Sequence, residues 1–116
     1  MTIMIVDDNA LMRSTIRRSL KHSADEFCEC NDGIDALTAY TKFRPDWVLM
    51  DIKMKQMDGI KAAREILSSF PDAKIIMVTQ HNETTLYDQA REAGAIDFVL
   101  KDNLADIERI IQSHHH

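Results

Sequence analysis

Apolar residues along the chain fall into two alternating kinds of pattern. Thr2 to Val6, Trp47 to Met50, Lys74 to Val78 and Ile96 to Leu100 are short, near-continuous runs rich in β-branched residues, and a weaker one covers Phe27 to Cys30. Runs of this continuous kind are how strands read when both faces of a sheet are covered by helices. Between the runs, apolar residues recur at helical spacing. Met12, Ile16 and Leu20 repeat every fourth residue, and Ile34, Leu37, Tyr40 and Phe43 follow a three-residue step that stops before Pro45. Ile60, Ala63, Leu67 and Phe70 form a stripe ended by Pro71, and Leu86, Ala90 and Ala93 form another, with Gly94 as its expected C-cap. Leu104, Ile107 and Ile111 make the last stripe, with Asn103 as its expected N-cap. The order is strand–helix repeated five times, which predicts an α/β fold: a doubly wound parallel sheet with right-handed crossovers.

In such a sheet the C-terminal ends of all strands share one edge, where ligand sites form. The residues that fall there are Asp7 and Asp8 after the first strand, Asp51 after the third, Thr79 after the fourth and Lys101 after the fifth. The second strand ends in Asn31-Asp32-Gly33, which reads as a turn into a helix. Any one of these has a bland explanation, since an Asp after a strand often caps the next helix. Their convergence does not. Two unit charges ~4 Å apart repel by ~4 kcal/mol at an effective dielectric of ~20, so a fold gains no stability from such a cluster. With Lys101 counted, Asp7, Asp8 and Asp51 leave two negative charges, which one divalent cation balances. Hard oxygen ligands select Mg²⁺ or Mn²⁺, and a phosphoryl group completes such a coordination sphere. Asp51 would be the nucleophile, with Thr79 and Lys101 meeting the phosphoryl oxygens; the transfer needs mainly positioning and charge neutralisation.

Composition narrows the function classes. The 116 residues suffice for one domain, and 45% hydrophobic with 28% charged residues is ordinary globular usage. A net charge of −5 argues against a nucleic-acid or membrane-surface footprint. No apolar run approaches the ~20 residues that span a bilayer, and no basic segment precedes the first strand, so no signal peptide is expected. Cys28 and Cys30 have no second ligand pair for a metal, and a disulfide between them would be strained, so they read as small apolar strand residues of a reducing, cytoplasmic protein. His114 to His116 reads as an expression-tag remnant, leaving 1–113 as the domain.

The residues at the strand ends resemble the receiver domain of two-component response regulators. The resemblance covers residues 2 to 112 and is carried by Ile5-Val6-Asp7-Asp8-Asn9, Val48-Leu49-Met50-Asp51-Ile52-Lys53-Met54, Met57-Asp58-Gly59, Val78-Thr79, Ala93-Gly94-Ala95 and Phe98-Val99-Leu100-Lys101. It implies a flavodoxin-like (βα)5 fold with strand order 2-1-3-4-5. It implies phosphorylation of Asp51 by a histidine kinase or phosphotransfer protein, and control of a downstream effector. Asp8, Asp51 and the backbone carbonyl of Lys53 would ligate Mg²⁺, Asp7 acting through water. Thr79 and Phe98 occupy the family's switch positions, whose movement reshapes the face of the fourth helix, fifth strand and fifth helix, a surface that also suits a homodimer. Lys53, Gln80 and His81 stand at positions that tune phosphoryl lifetime, and Gln80 and Lys53 are expected to crowd the attacking water.

Some positions depart from the family's commonest pattern. Lys55 replaces a usual Pro, which predicts a looser loop after Asp51. Lys101-Asp102-Asn103-Leu104 is most similar to receivers attached to helix-turn-helix transcription regulators. Met54 and Met57 are read either as docking residues or as packing under that loop, and Arg13, Arg17 and Arg18 either as a solvated face or as a contact for the phosphodonor. A flavodoxin-like cofactor binder fails on charge, because the Asp7-Asp8-Asn9 loop repels a phosphate and the three glycines are isolated. An Asp-nucleophile phosphatase needs a different carboxylate spacing and a cap. A receiver-like module that binds without phosphorylation sits badly with the complete set Asp8, Asp51, Thr79 and Lys101.

Overall fold

The computed structural model describes residues 1–114, so the proposed tag remnant lies outside the described residues at His115 and His116. Among the described residues, strands and helices alternate as β1 (Thr2–Val6), α1 (Ala10–Ser19), β2 (Glu26–Cys30), α2 (Ala36–Phe43), β3 (Trp47–Met50), α3 (Gly59–Ser69), β4 (Ile75–Thr79), α4 (Thr84–Ala93), β5 (Asp97–Leu100) and α5 (Ala105–Ser113). The five strands form one parallel sheet in the order β2-β1-β3-β4-β5, the doubly wound arrangement read from the sequence.

Strand alternation sends side chains to two cores. Met4, Val6, Val48, Met50, Ile75 and Met77 pack with residues of α2, α3 and α4. Ile3, Ile5, Trp47, Leu49, Ile76, Val78 and Val99 pack with Ile16 and Leu20 on the other face, joined there by Ile107 and Ile111 of α5. Both faces of the central strands are therefore buried, which is why those runs are continuous rather than alternating. Cys28 and Cys30 lie on one face of β2 and are free thiols. Burial pushes both up, Cys30 to about 11, so they are un-ionised at neutral pH.

Two helix boundaries differ from expectation. The three-residue step from Ile34 is not one helix face: Gly33–Asp35 forms a 3-10 turn, α2 buries Ala36 and Tyr40, and Ile34 and Phe43 are exposed at its ends. Asn103 does not cap α5; it closes a 3-10 turn over Lys101–Asn103, and Leu104 occupies the cap position with no side-chain cap bond. Gly94 does close α4, in the left-handed conformation at φ 103°.

The sheet order reverses direction between β1 and β3, β1 leading to β2 on one side and β3 to β4 and β5 on the other. Crevices form at the carboxyl ends of strands flanking such a reversal.

Candidate functional site

The register of the two central strands brings the first aspartates together. Val6 pairs with Met50, and the ladder continues one step past the strands, with the Asp51 N–H donating to the Val6 carbonyl at 2.8 Å and the Asp7 N–H to the Cys30 carbonyl at 3.1 Å. Asp7 and Asp51 thus emerge side by side at the reversal point. Asp8 follows on the turn into α1, which Asn9 caps by accepting from the Met12 N–H. Asp7 and Asp51 are buried and Asp8 is exposed. One carboxylate oxygen from each of Asp7, Asp8 and Asp51 lies within 4.8 Å of the others.

Lys101 reaches this cluster from the far edge. Strands are spaced ~4.8 Å apart, so β5 lies roughly 10 Å from β3, a gap only a long side chain closes. Its Nζ stands 2.9 Å from Asp7 Oδ2 and 3.2 Å from Asp51 Oδ2. The Asp51 contact is a hydrogen bond, whereas Asp7 Oδ2 is buried without an aligned donor. The remaining oxygens are engaged: Asp51 Oδ1 accepts from the Ile52 N–H at 2.8 Å and Asp7 Oδ1 from the Asn9 N–H at 2.9 Å. Burial and the Asp7 charge push the Asp51 carboxyl up from its ordinary range, against the pull of Lys101 and the Ile52 N–H. Burial draws the Lys101 ammonium down, but Asp7 and Asp51 outweigh it and the net shift is upward, so the lysine stays charged.

A hard divalent cation fits this donor set. It consists of carboxylate oxygens, it carries excess negative charge, and it includes a buried oxygen with no directed partner. Gly59 keeps the floor in place: a Cβ there would lie 1.9 Å from the Asp51 carbonyl oxygen, so only glycine lets α3 begin this close.

The other sequence-derived positions spread around the pocket. Thr79 ends β4, fully buried, and its Oγ1 accepts from the His81 N–H at 3.3 Å. His81 is half-buried with its ring 4.0 Å from Glu83, and Lys53 and Gln80 are exposed. Among the described residues neither Lys53 nor Gln80 donates a side-chain hydrogen bond to the acidic cluster. Phe98 is half-buried away from the carboxylates, its ring centroid 5.5 Å from that of Tyr87 on α4. Met54 and Met57 pack against the α2–α4 core, which favours the packing reading.

Sequence reasoning missed Asp32. Buried at the end of β2, it caps the following 3-10 turn through the Ile34 N–H and also accepts from the Gln56 N–H at 2.9 Å and the Met57 N–H at 3.0 Å. The loop after Asp51 is therefore tied down despite Lys55. Burial alone would raise the Asp32 carboxyl, but the N–H groups of Gln56, Ile34, Met57 and Lys55 outweigh it and hold it below the usual aspartate range. The sequence carried no signal for this second role, because Asp32 already looked explained as a turn residue.

Comparison with known proteins agrees with this geometry. Residues 3–113 match the response regulator receiver domain family. Protein CcdB of Bacillus subtilis (strain 168) is 42% identical over 100 residues, 85% of this chain and 83% of that protein. The chemotaxis protein CheY of the same organism is 40% identical over 105 residues, covering 90% and 88% of the two chains. A crystal structure of a LuxR-family two-component response regulator from Aurantimonas sp. SI85-9A1 superposes with a TM-score of 0.89 at 30% identity, over 97% of this chain and 82% of that one. With the strand order, the acidic crevice and these relatives in agreement, the chain belongs to the response regulator receiver family.

Proposed function

We propose that this receiver domain is a phosphoacceptor switch, modified on Asp51 with phosphate from a histidine kinase or phosphotransfer protein. The observation that carries the reading is the meeting of Asp7, Asp8 and Asp51 within 4.8 Å, with Lys101 bridging two of them. Mg²⁺ or Mn²⁺, held by Asp8, Asp51 and the Lys53 carbonyl with Asp7 acting through water, would neutralise charge on the carboxylates and the phosphoryl oxygens. An Asp51 carboxylate oxygen attacks phosphorus; the new P–O bond forms as the P–N bond to the donor histidine breaks, and the imidazole leaves with the electron pair. Lys101, already charged beside Asp51, turns one contact toward a phosphoryl oxygen. Thr79 supplies a hydroxyl from the end of the neighbouring strand.

In this reading, movement of Thr79 toward the phosphoryl group frees space for Phe98, whose ring rests against α4 at Tyr87. The α4, β5 and α5 face then changes shape for an effector or a second copy. Lys53, Gln80 and His81, in the loops that follow β3 and β4, set how fast water removes the phosphoryl group. Residues 1–113 form the signalling unit.

The test is incubation with Mg²⁺ and a small-molecule phosphodonor, read by intact mass. One phosphoryl group is expected on the wild type and none on Asp51→Asn; an unmodified wild type, or full modification of the variant, sinks the reading. Mg²⁺ at 100 times its dissociation constant should stabilise the fold by ~2.7 kcal/mol, read as a rise in melting temperature.

A further inference from the structure

The basic residues of α1 do not form one solvated face. Arg13 is folded back over the end of the sheet with only 17% of its side chain exposed, while Arg17 is 54% exposed. Arg13 Nη1 donates to the Asp7 carbonyl oxygen at 2.6 Å, and its Nε donates to Glu29 Oε1 at 2.9 Å. Glu29, on β2, accepts at its other oxygen from Arg17 Nη1 at 3.0 Å. Among the described residues Arg17 has no hydrogen bond to the β1–α1 turn; its guanidinium lies 5.4 Å from the Phe27 ring.

The consequence for the acidic cluster is geometric. Asp7 is gripped at both ends of its backbone, its N–H by the Cys30 carbonyl and its C=O by Arg13. That C=O belongs to the peptide unit joining Asp7 to Asp8, so its direction sets how the two carboxylates splay toward Asp51. A planar guanidinium holds two acceptors in a fixed relation, which an ammonium does not. We infer that Arg13 is a positioning residue for the divalent cation: it fixes the Asp7–Asp8 peptide, and Glu29 on the edge strand aims it. The inference rests on the metal-dependent reading above.

The sign of its effect separates positioning from charge. Arg13 is a cation near a cation site, so if only its charge mattered, removing it would tighten Mg²⁺ binding. Loss of positioning weakens it, by about 10–100-fold for groups that orient metal ligands. The experiment is calorimetric titration of Mg²⁺ into the full chain, after melting curves in chelator confirm that each variant is folded. Arg13→Ala is expected to weaken binding about tenfold or more, Arg13→Lys and Glu29→Gln less, and Arg17→Ala to stay within about twofold. Phosphorylation of Arg13→Ala should regain the wild-type rate at saturating Mg²⁺, a shift in the metal requirement without loss of the maximal rate. If Arg13→Ala does not fold, Arg13→Lys carries the test. Unchanged or tighter binding in the Arg13 variants, an equal loss in Arg17→Ala, or a rate that stays low at saturating Mg²⁺ overturns the inference. A wild type that binds no Mg²⁺ overturns the metal-dependent reading and this inference with it.

Discussion

The two edges of the sheet serve the acidic pocket in different ways. From the β2 edge, support arrives as hydrogen bonds that end on backbone: Asp32 accepts from the Gln56 and Met57 N–H groups, and Arg13, aimed by Glu29, donates to the Asp7 carbonyl. From the β5 edge it arrives through a single side chain, Lys101 on the carboxylates, while Phe98 of the same strand packs against Tyr87. The helices differ in the same sense. Next to the pocket, α3 buries Gly59, Ile60, Ala62, Ala63 and Ile66, whereas α4 buries only Ala90 and Ala93 and begins without a side-chain cap. Backbone anchoring fixes geometry, and side-chain contacts can change partner without refolding. One edge meets the site through backbone and the other through a side chain.

Breaking an anchor on the β2 edge should have the largest effect. Asp32→Ala removes three hydrogen bonds to a carboxylate and should cost about 3 kcal/mol in urea unfolding, since bonds to charged groups contribute roughly 1.5–3 kcal/mol each and do not add fully. Phe98→Ala on the β5 edge should cost about 1–2 kcal/mol, well below the value for a fully buried ring. If the two losses came out equal, or in reverse order, the contrast between the edges would fail.

A smaller effect sharpens the contrast through pH. The Asp32 carboxyl is held below its ordinary value of 3.8, so its contribution is complete above that value and is lost as pH falls through the lower folded value. Asp51 is shifted the other way: its contribution is present below 3.8 and is lost as pH rises through the raised folded value, leaving a penalty at neutral pH. Without divalent cations at neutral pH, Asp51→Asn should therefore raise the melting temperature and Asp32→Asn should lower it. Both differences should shrink in acid below 3.8, as thermal melts across a pH series would show.

Most of the fold was legible because burial on two faces leaves a plain mark: Ile3 to Val6 and Ile75 to Val78 could hardly be anything but central strands. The acidic pocket was legible because parallel topology alone carries strand-end residues to one edge. What escaped were contacts that no local pattern announces. Asp32 looked like a turn residue, and its second role reaches 24 and 25 positions along the chain. Arg13 sits on the polar side of α1, and only its long stem lets a surface position become an internal strut. The exposed Ile34 and Phe43 misled by matching a helical step that a 3-10 turn interrupts.

Trp47 begins the same strand that ends beside Asp51, is only 2% exposed, and is the chain's one tryptophan. Four steps of extended backbone, roughly 13 Å, separate its Cα from that of Asp51. Its fluorescence is therefore a reporter of whether the core it shares with Ile16, Leu20 and Ile107 is intact, and a poor witness to what the carboxylates hold. Spectroscopy of ion uptake in this molecule will need a chromophore planted nearer the crevice.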